Sequence, residues 1–264
     1  MIEKLIINAS SLNPLILAIY GGLFVTFTTS LGALIAVLFK KLPEWGLELS
    51  MAFGGGVMLV ASFTSLIIPA IGVSNIYLVM LGIVLGFLLI FLIEKYLPHE
   101  HIVAGYEGPE KFRHKLKHIW LIVIAIVIHN LPEGMAVGVS LVNNVKTGIA
   151  TTIAIGIQDI PEGLAVAFPI YRITKSVRKS LGISFLSGFS ELLAGLIPFI
   201  IISLYPQAIG TILPFLMSFS AGAMIYVVVH ELVPEIYSHG HDDLSTLGFF
   251  SGFLIMLLLD TLLG

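Results

Sequence analysis

A helix needs about 20 predominantly apolar residues to cross the roughly 30 Å hydrocarbon core of a bilayer. Eight stretches of this 264-residue chain meet that requirement, at about 14–38, 47–70, 74–94, 119–141, 147–170, 181–203, 208–235 and 245–263. Backbone polar groups in hydrocarbon can be satisfied only within helices or closed barrels. Apolar runs this long specify helices, so the expected fold is an all-α integral membrane protein with eight transmembrane helices. Composition agrees, since a chain that is 57% hydrophobic and 11% charged lies outside the range of soluble domains. The third connection, from about Lys95 to His118, is the only sizeable polar stretch and is too short for a domain. Residues 1–264 therefore read as a single transmembrane domain in contact with lipid.

Charge placement orients the spans. Lys40 and Lys41 fall in the first connection, Lys95, Lys111, Arg113, Lys115 and Lys117 in the third, and Arg172, Lys175, Arg178 and Lys179 in the fifth. Only Lys4 and Lys146 fall on the opposite face. The positive-inside rule makes the odd-numbered connections cytoplasmic, so both termini are expected outside the cytoplasm of a multi-pass cell-membrane protein. The leading MIEKLIINASSLNP lacks the layout of a cleaved signal peptide, and Met1 is expected to be retained. With no cysteine, disulfides, thiolate metal sites and cysteine nucleophiles are excluded.

One pattern occurs twice inside this apolar frame, HNLPEGMAV from His129 to Val137 and QDIPEGLAV from Gln158 to Val166. His129 and Glu133, four residues apart, share a helix face, as do Gln158 and Glu162. Asn130 and Asp159 lie three residues before those glutamates, so each helix can serve two adjacent sites. Pro132 and Pro161 remove backbone hydrogen bonds within the spans and are expected to kink them, leaving room beside the polar groups. In the sixth span SGFSELLAG places Glu191 at similar depth. Ionisable groups at membrane depth are costly and mark functional sites. Glu133, Asp159, Glu162 and Glu191 have no Lys or Arg in any span to pair with, whereas two divalent cations would neutralise them. Imidazole together with carboxylates suits Zn2+, Fe2+, Mn2+, Co2+ or Ni2+ better than Mg2+, Ca2+ or Cu+. Midplane sites on interrupted helices within a repeated architecture are a property of secondary transporters.

HNLPEG in the fourth span, QDIPEG in the fifth and the glutamate of the sixth resemble the signature of the ZIP (Zrt/Irt-like) metal transporters, most closely the GufA-like prokaryotic branch. The likeness extends to GGGVMLVASFTSLIIPA in the second span, HELVPE in the seventh and GFLIMLLLD in the eighth. It implies uptake of Zn2+, with Fe2+, Mn2+, Cd2+, Co2+ or Ni2+ as alternatives, through a binuclear centre. It also implies a 3+2+3 arrangement, in which spans one to three and six to eight are inverted repeats around the central pair. One metal would sit on His129, Glu133, Gln158 and Glu162, and the second on Asn130, Asp159, Glu191 and a bridging Glu162. Gln158 and Asp159 replace a histidine and an asparagine found in many relatives, which trades a strong neutral ligand for a weak one and adds a charge.

Met58, His230, Glu231 and Asp260 are candidates for the ion pathway; the alternatives are packing for Met58, a structural hydrogen-bonded histidine for His230 and a polar helix end for Asp260. Seven histidines fall near the predicted cytoplasmic face: His99, His101, His114, His118, His230, His239 and His241. They would suit a sink for arriving metal. The resemblance further suggests a homodimer and an elevator motion of the metal-bearing helices; no nucleic-acid partner is expected. An intramembrane metalloprotease would call for HExxH, which is absent, and a sensor would need an output domain. The chain is expected to be a transporter and not an enzyme.

Overall fold

The computed structural model describes residues 13–39, 43–101, 105–108, 118–237 and 240–263. The expectations for Met1, Lys4, Lys40, Lys41, His114, His239 and the basic residues from Lys111 to Lys117 lie outside these. The described chain is almost wholly helical, and eight of its helices are long and apolar enough to cross a membrane. They are α1 (Pro14–Phe39), α3 (Ile76–Tyr96), α4 (His118–Asn143), α5 (Val145–Thr174), α6 (Val177–Leu204), α8 (Asp242–Leu263), and two interrupted helices, α2 and α7. Helix α2 runs over Glu44–Ala61, widens to π-helix at Ser62–Ile67 and ends with Ile68–Val73. Helix α7 opens with a 3-10 turn at Pro206–Ala208, continues over Ile209–Val227, widens at Val228–Leu232 and closes with Val233–Ile236.

All eight expected spans are present, most of them a few residues longer than the apolar runs. Polar residues at the junctions set their starts. The Asn75 side chain accepts from the Leu78 N–H, Asn144 from those of Lys146 and Thr147, and Ser176 from that of Lys179, satisfying amides that a helix start leaves open. In the third connection, β1 (His99–His101) pairs antiparallel with β2 (Gly105–Glu107), a ribbon the hydropathy pattern did not register. Outside lipid the backbone need not be helical to pair its polar groups.

The helices sort into two groups. Helix α1 packs on α5 and α6, and α4 on α6 and α5; α2 packs on α8, and α3 on α7. Helix α5 meets α2 and α8 between the groups, and α4 meets α7.

The packing follows an internal repeat offset by 166 positions, from Leu81 to Leu247: LGIVLGFLLIFLIE in α3 and LGFFSGFLIMLLLD in α8. Gly56 lies against the Phe249 backbone, and its counterpart Gly222 against Ile83, the counterpart of Phe249. Gly252 meets Phe53 as Gly86 meets Phe219, and Gly248 meets Leu49 as Gly82 meets Phe215. The same offset relates Gly22 on Leu192 to Gly188 on Thr26. Every one of these contacts maps onto another of the set, so helices α1–α3 and α6–α8 are two copies of one unit. Five crossings separate their starts, so the copies are inverted. At most of these positions a Cβ would collide with backbone of the facing helix; glycine is what lets the helices approach, the usual basis of association where lipid removes the hydrophobic drive.

The π segments belong to the same repeat. Each lies just before a proline, Pro69 in α2 and Pro234 in α7. Met58 and Met224 obey the offset of 166, whereas Pro69 and Pro234 are one position short of it. The extra α2 residue is absorbed where the π segment has six residues and not five.

Candidate metal centre

Helices α4 and α5 run without a break through Pro132 and Pro161, and they bring their polar pairs together with those of α6. The Gln158 Nε2 donates to Glu133 Oε1 at 2.7 Å, joining the two PEG segments. The Asn130 Nδ2 donates to Glu191 Oε1 at 2.8 Å and to Ser187 Oγ at 2.9 Å, joining α4 to α6. Glu133, Asp159 and Glu162 each offer a carboxylate oxygen, and these oxygens lie within 4.8 Å of one another. Close glycine packing makes this convergence possible, because Gly134 rests on the Glu191 backbone and Gly163 on that of Thr29.

The electrostatics call for a cation. At an effective dielectric constant near 20, unit charges that far apart interact by roughly 3–4 kcal/mol, or on the order of 10 kcal/mol for three pairs. That rivals the whole net stability of an ordinary domain. Among the described residues no Lys or Arg forms an ion pair with Glu133, Asp159, Glu162 or Glu191, and Asn130 Oδ1, Glu133 Oε2, Gln158 Oε1, Asp159 Oδ1 and Glu191 Oε2 are buried without a hydrogen-bond partner. Buried acceptors are seldom left open in this way. The donor set, one imidazole with carboxylates and amide oxygens, is that of a borderline divalent metal.

His129, Glu133, Gln158 and Glu162 line a cavity of about 830 Å3, measured out to its mouth. Its walls continue through Ser50 and Met51 at the start of α2, Ala165 and Val166 in the latter half of α5, and Glu231 and Glu235 at the end of α7. All these lie toward the odd-numbered connections, so the mouth is on that side. Beyond the cluster in the other direction, Val137, Leu141, Ala154 and Ile155 are buried in the apolar core and close the path.

The pathway candidates separate. Met58 and Glu231 line the cavity, and Glu231 Oε2 stands 3.1 Å from His129 Nδ1. His230 is not among the lining residues. It lies 3.3 Å from Glu94 of α3 and beside the Tyr226 ring. Asp260 is in the corresponding place at the opposite end, 3.2 Å from Ser65 Oγ; it is the repeat counterpart of Glu94. Of the remaining histidines, His99 is buried with Nδ1 on the Leu97 carbonyl, and His241 meets Glu48 at 2.7 Å. The side chains of His101 and His118 lie outside the described residues.

Several polar residues escaped the reading of the sequence. Glu94, the last residue of the 74–94 run, is 2% exposed, accepts from the Tyr226 hydroxyl and lies against Glu231. The 166-residue repeat was the signal that could have found it, since it aligns Glu94 with Asp260. Thr28 and Thr29 of α1, whose hydroxyls reach Asp159 and Glu191, had no signal, because Thr bonded to its own helix is common in apolar spans.

Comparison with known proteins gives the family. Residues 98–260 match the family model described as ZIP Zinc transporter. The chain belongs to the ZIP family. It is 38% identical to the zinc transporter ZIPB of Bordetella bronchiseptica, an alignment covering 94% of this chain and 81% of that one. It is 33% identical to the zinc transporter GufA of Myxococcus xanthus, over 89% of this chain and 94% of the relative. With the zinc transporter ZupT of Streptococcus mutans it shares 35% identity, over 87% and 90% of the two chains. This ZIP protein is thus a multi-pass membrane protein of the eight-helix class that its sequence implied.

Proposed function

We propose that this ZIP protein carries Zn2+ and related divalent transition metals across the cell membrane into the cytoplasm, through a binuclear site at the level of the PEG motifs. The observation that carries the reading is the convergence of the buried carboxylates of Glu133, Asp159 and Glu191 with that of half-buried Glu162, free of Lys and Arg partners among the described residues, at the inner end of a cavity that opens toward the odd-numbered connections. His129, Glu133, Gln158 and Glu162 are the ligands of the first ion. Asn130, Asp159, Glu191 and a shared Glu162 hold the second. The zinc transport named in its relatives favours Zn2+ as substrate.

Every proposed ligand is on α4, α5 or α6, and α1 packs with them. The facing wall of the cavity belongs to α2 and α7 of the other group. Displacement of one group against the other would close the present mouth and open its counterpart across the membrane. The inverted repeat supports such a motion, because it supplies the same packing surfaces at both ends. The His129–Glu231 contact crosses between the groups and would break as they move.

Direction rests on the basic residues of the odd-numbered connections. Lys146 and Lys179 are exposed at opposite ends of the helix set, and the chain has no cysteine of its own. In intact cells an impermeant thiol reagent should label Lys146→Cys and spare Lys179→Cys. The reverse pattern would turn the mouth outward and make the present state the loading state. Zinc accumulation in proteoliposomes tests transport itself, and binding without flux would reject it.

A further inference from the structure

The second half of the centre has a wall that the PEG motifs do not supply. Thr28 Oγ1 lies 2.9 Å from the Val25 carbonyl, 3.1 Å from that of Phe24 and 3.3 Å from Asp159 Oδ2. Thr29 Oγ1 lies 2.8 Å from the Val25 carbonyl and 3.4 Å from Glu191 Oε1. A hydroxyl has one proton to give, and O–H···O bonds are commonest near 2.7–2.8 Å, about the length of the backbone contacts. Each threonine can give that proton to the carboxylate or to its own helix, and when it goes to the helix the lone pairs face the carboxylate side.

The rest of the surroundings is poor in donors. Asn130 spends its amide protons on Ser187 and Glu191. Its Oδ1 is buried without a partner, as are Asp159 Oδ1 and Glu191 Oε2. Asn130 and Asp159 are fully buried and Glu191 is 1% exposed. Unpartnered acceptor oxygens crowded together repel one another, and a cation placed among them reverses the sign and draws the threonine lone pairs inward as their protons turn to the helix. No nitrogen or sulfur donor takes part, unlike the first position with its imidazole. All-oxygen sites suit hard cations, and imidazole suits borderline ones.

We infer that the second position is an all-oxygen cage, closed on its α1 side by the Thr28 and Thr29 hydroxyl oxygens, which discriminates less against a hard divalent cation such as Mn2+ than the first position does. The inference rests on the binuclear reading above and assigns to α1 a part in metal choice. In mixed metal the centre then holds Zn2+ on His129 and Mn2+ beside Thr28.

The test uses the full-length protein stripped with chelator, loaded with Zn2+ and then exposed to excess Mn2+, with anomalous diffraction at both metal edges. Mn2+ should replace Zn2+ at the second position and leave the first. In Thr28→Val/Thr29→Val the second ion should bind about 10- to 100-fold more weakly, the usual effect of removing a supporting polar group at a metal site. Zn2+ on His129 should persist there and report an intact fold, and Thr28→Ser should retain the second ion. If the double variant does not fold, Thr28→Val alone serves the same comparison. Equal exchange at both positions, exchange at the first alone, or unchanged second-ion affinity in the valine variant would overturn the inference while leaving two metals in place. A single Zn2+ in the wild type under all conditions would overturn the binuclear reading itself, and this inference with it.

Discussion

The two halves of the proposed metal centre differ in access and in donor atoms. His129, Glu133, Gln158 and Glu162 face the cavity, whereas Asn130, Asp159 and Glu191 are sealed behind them and do not line it. The first half includes an imidazole; the second has only oxygen acceptors, from carboxylates, an amide and two hydroxyls. An ion at the proposed first position would exchange with water through the mouth. One at the second would leave only past the first. This difference suits a transported ion at the first position and an auxiliary one at the second, where like charge nearby weakens the hold on the transported ion.

The largest effect should come from removing the exchanging half. His129→Ala and Glu133→Ala should each abolish most zinc uptake in proteoliposomes while the protein elutes as the wild type does. Normal flux in either variant would end the assignment of these residues. The shared residue should rank next. Glu162→Gln is expected to weaken both ions, read as loss of two anomalous peaks that in the wild type stand about 3.5–4 Å apart, as in other two-metal centres. A variant that loses one peak alone would show that Glu162 does not bridge.

Glu191→Gln should act more mildly, reducing or reshaping uptake and changing metal preference while the ion on His129 remains. If it stops transport as completely as His129→Ala does, the two halves are equal partners and the contrast between them fails. The smallest change is expected from Gln158→His, which replaces a neutral amide ligand with imidazole at the cavity wall. Competition assays should then show Zn2+ favoured over Mn2+ more strongly than in the wild type, and an unchanged ratio would place Gln158 outside the coordination sphere.

Much of the first half was legible without coordinates. Helical periodicity places His129 with Glu133 and Gln158 with Glu162, and the absence of Lys and Arg from the spans leaves their charge to be met by something else. Glu191 was legible for the same reason, as an acid in an apolar run. Thr28 and Thr29 were not, because a hydroxyl satisfied by its own helix looks the same in sequence whether it faces lipid or a carboxylate. Glu94 was hidden by its position two residues before the end of α3 at Tyr96, where charged residues usually reach water; here Tyr226 and Glu231 receive it instead.

Sequence by itself determined the helices, their number and the pairing of polar residues along each helix, because hydrocarbon leaves the backbone no alternative and a helix places residues four apart on one face. It also carried the repeat, spaced 166 positions apart, that dictates which glycines meet which backbones. Tertiary structure decided what one helix cannot encode. It set which cluster reaches the cavity, which threonines close the other, and that His129 meets Glu231 across the two groups of helices while His230 turns away to Glu94. The physical reason is that these contacts join residues far apart in the chain. Their partners are chosen by the rotation and depth at which glycine-packed helices come to rest, and no local periodicity records either quantity.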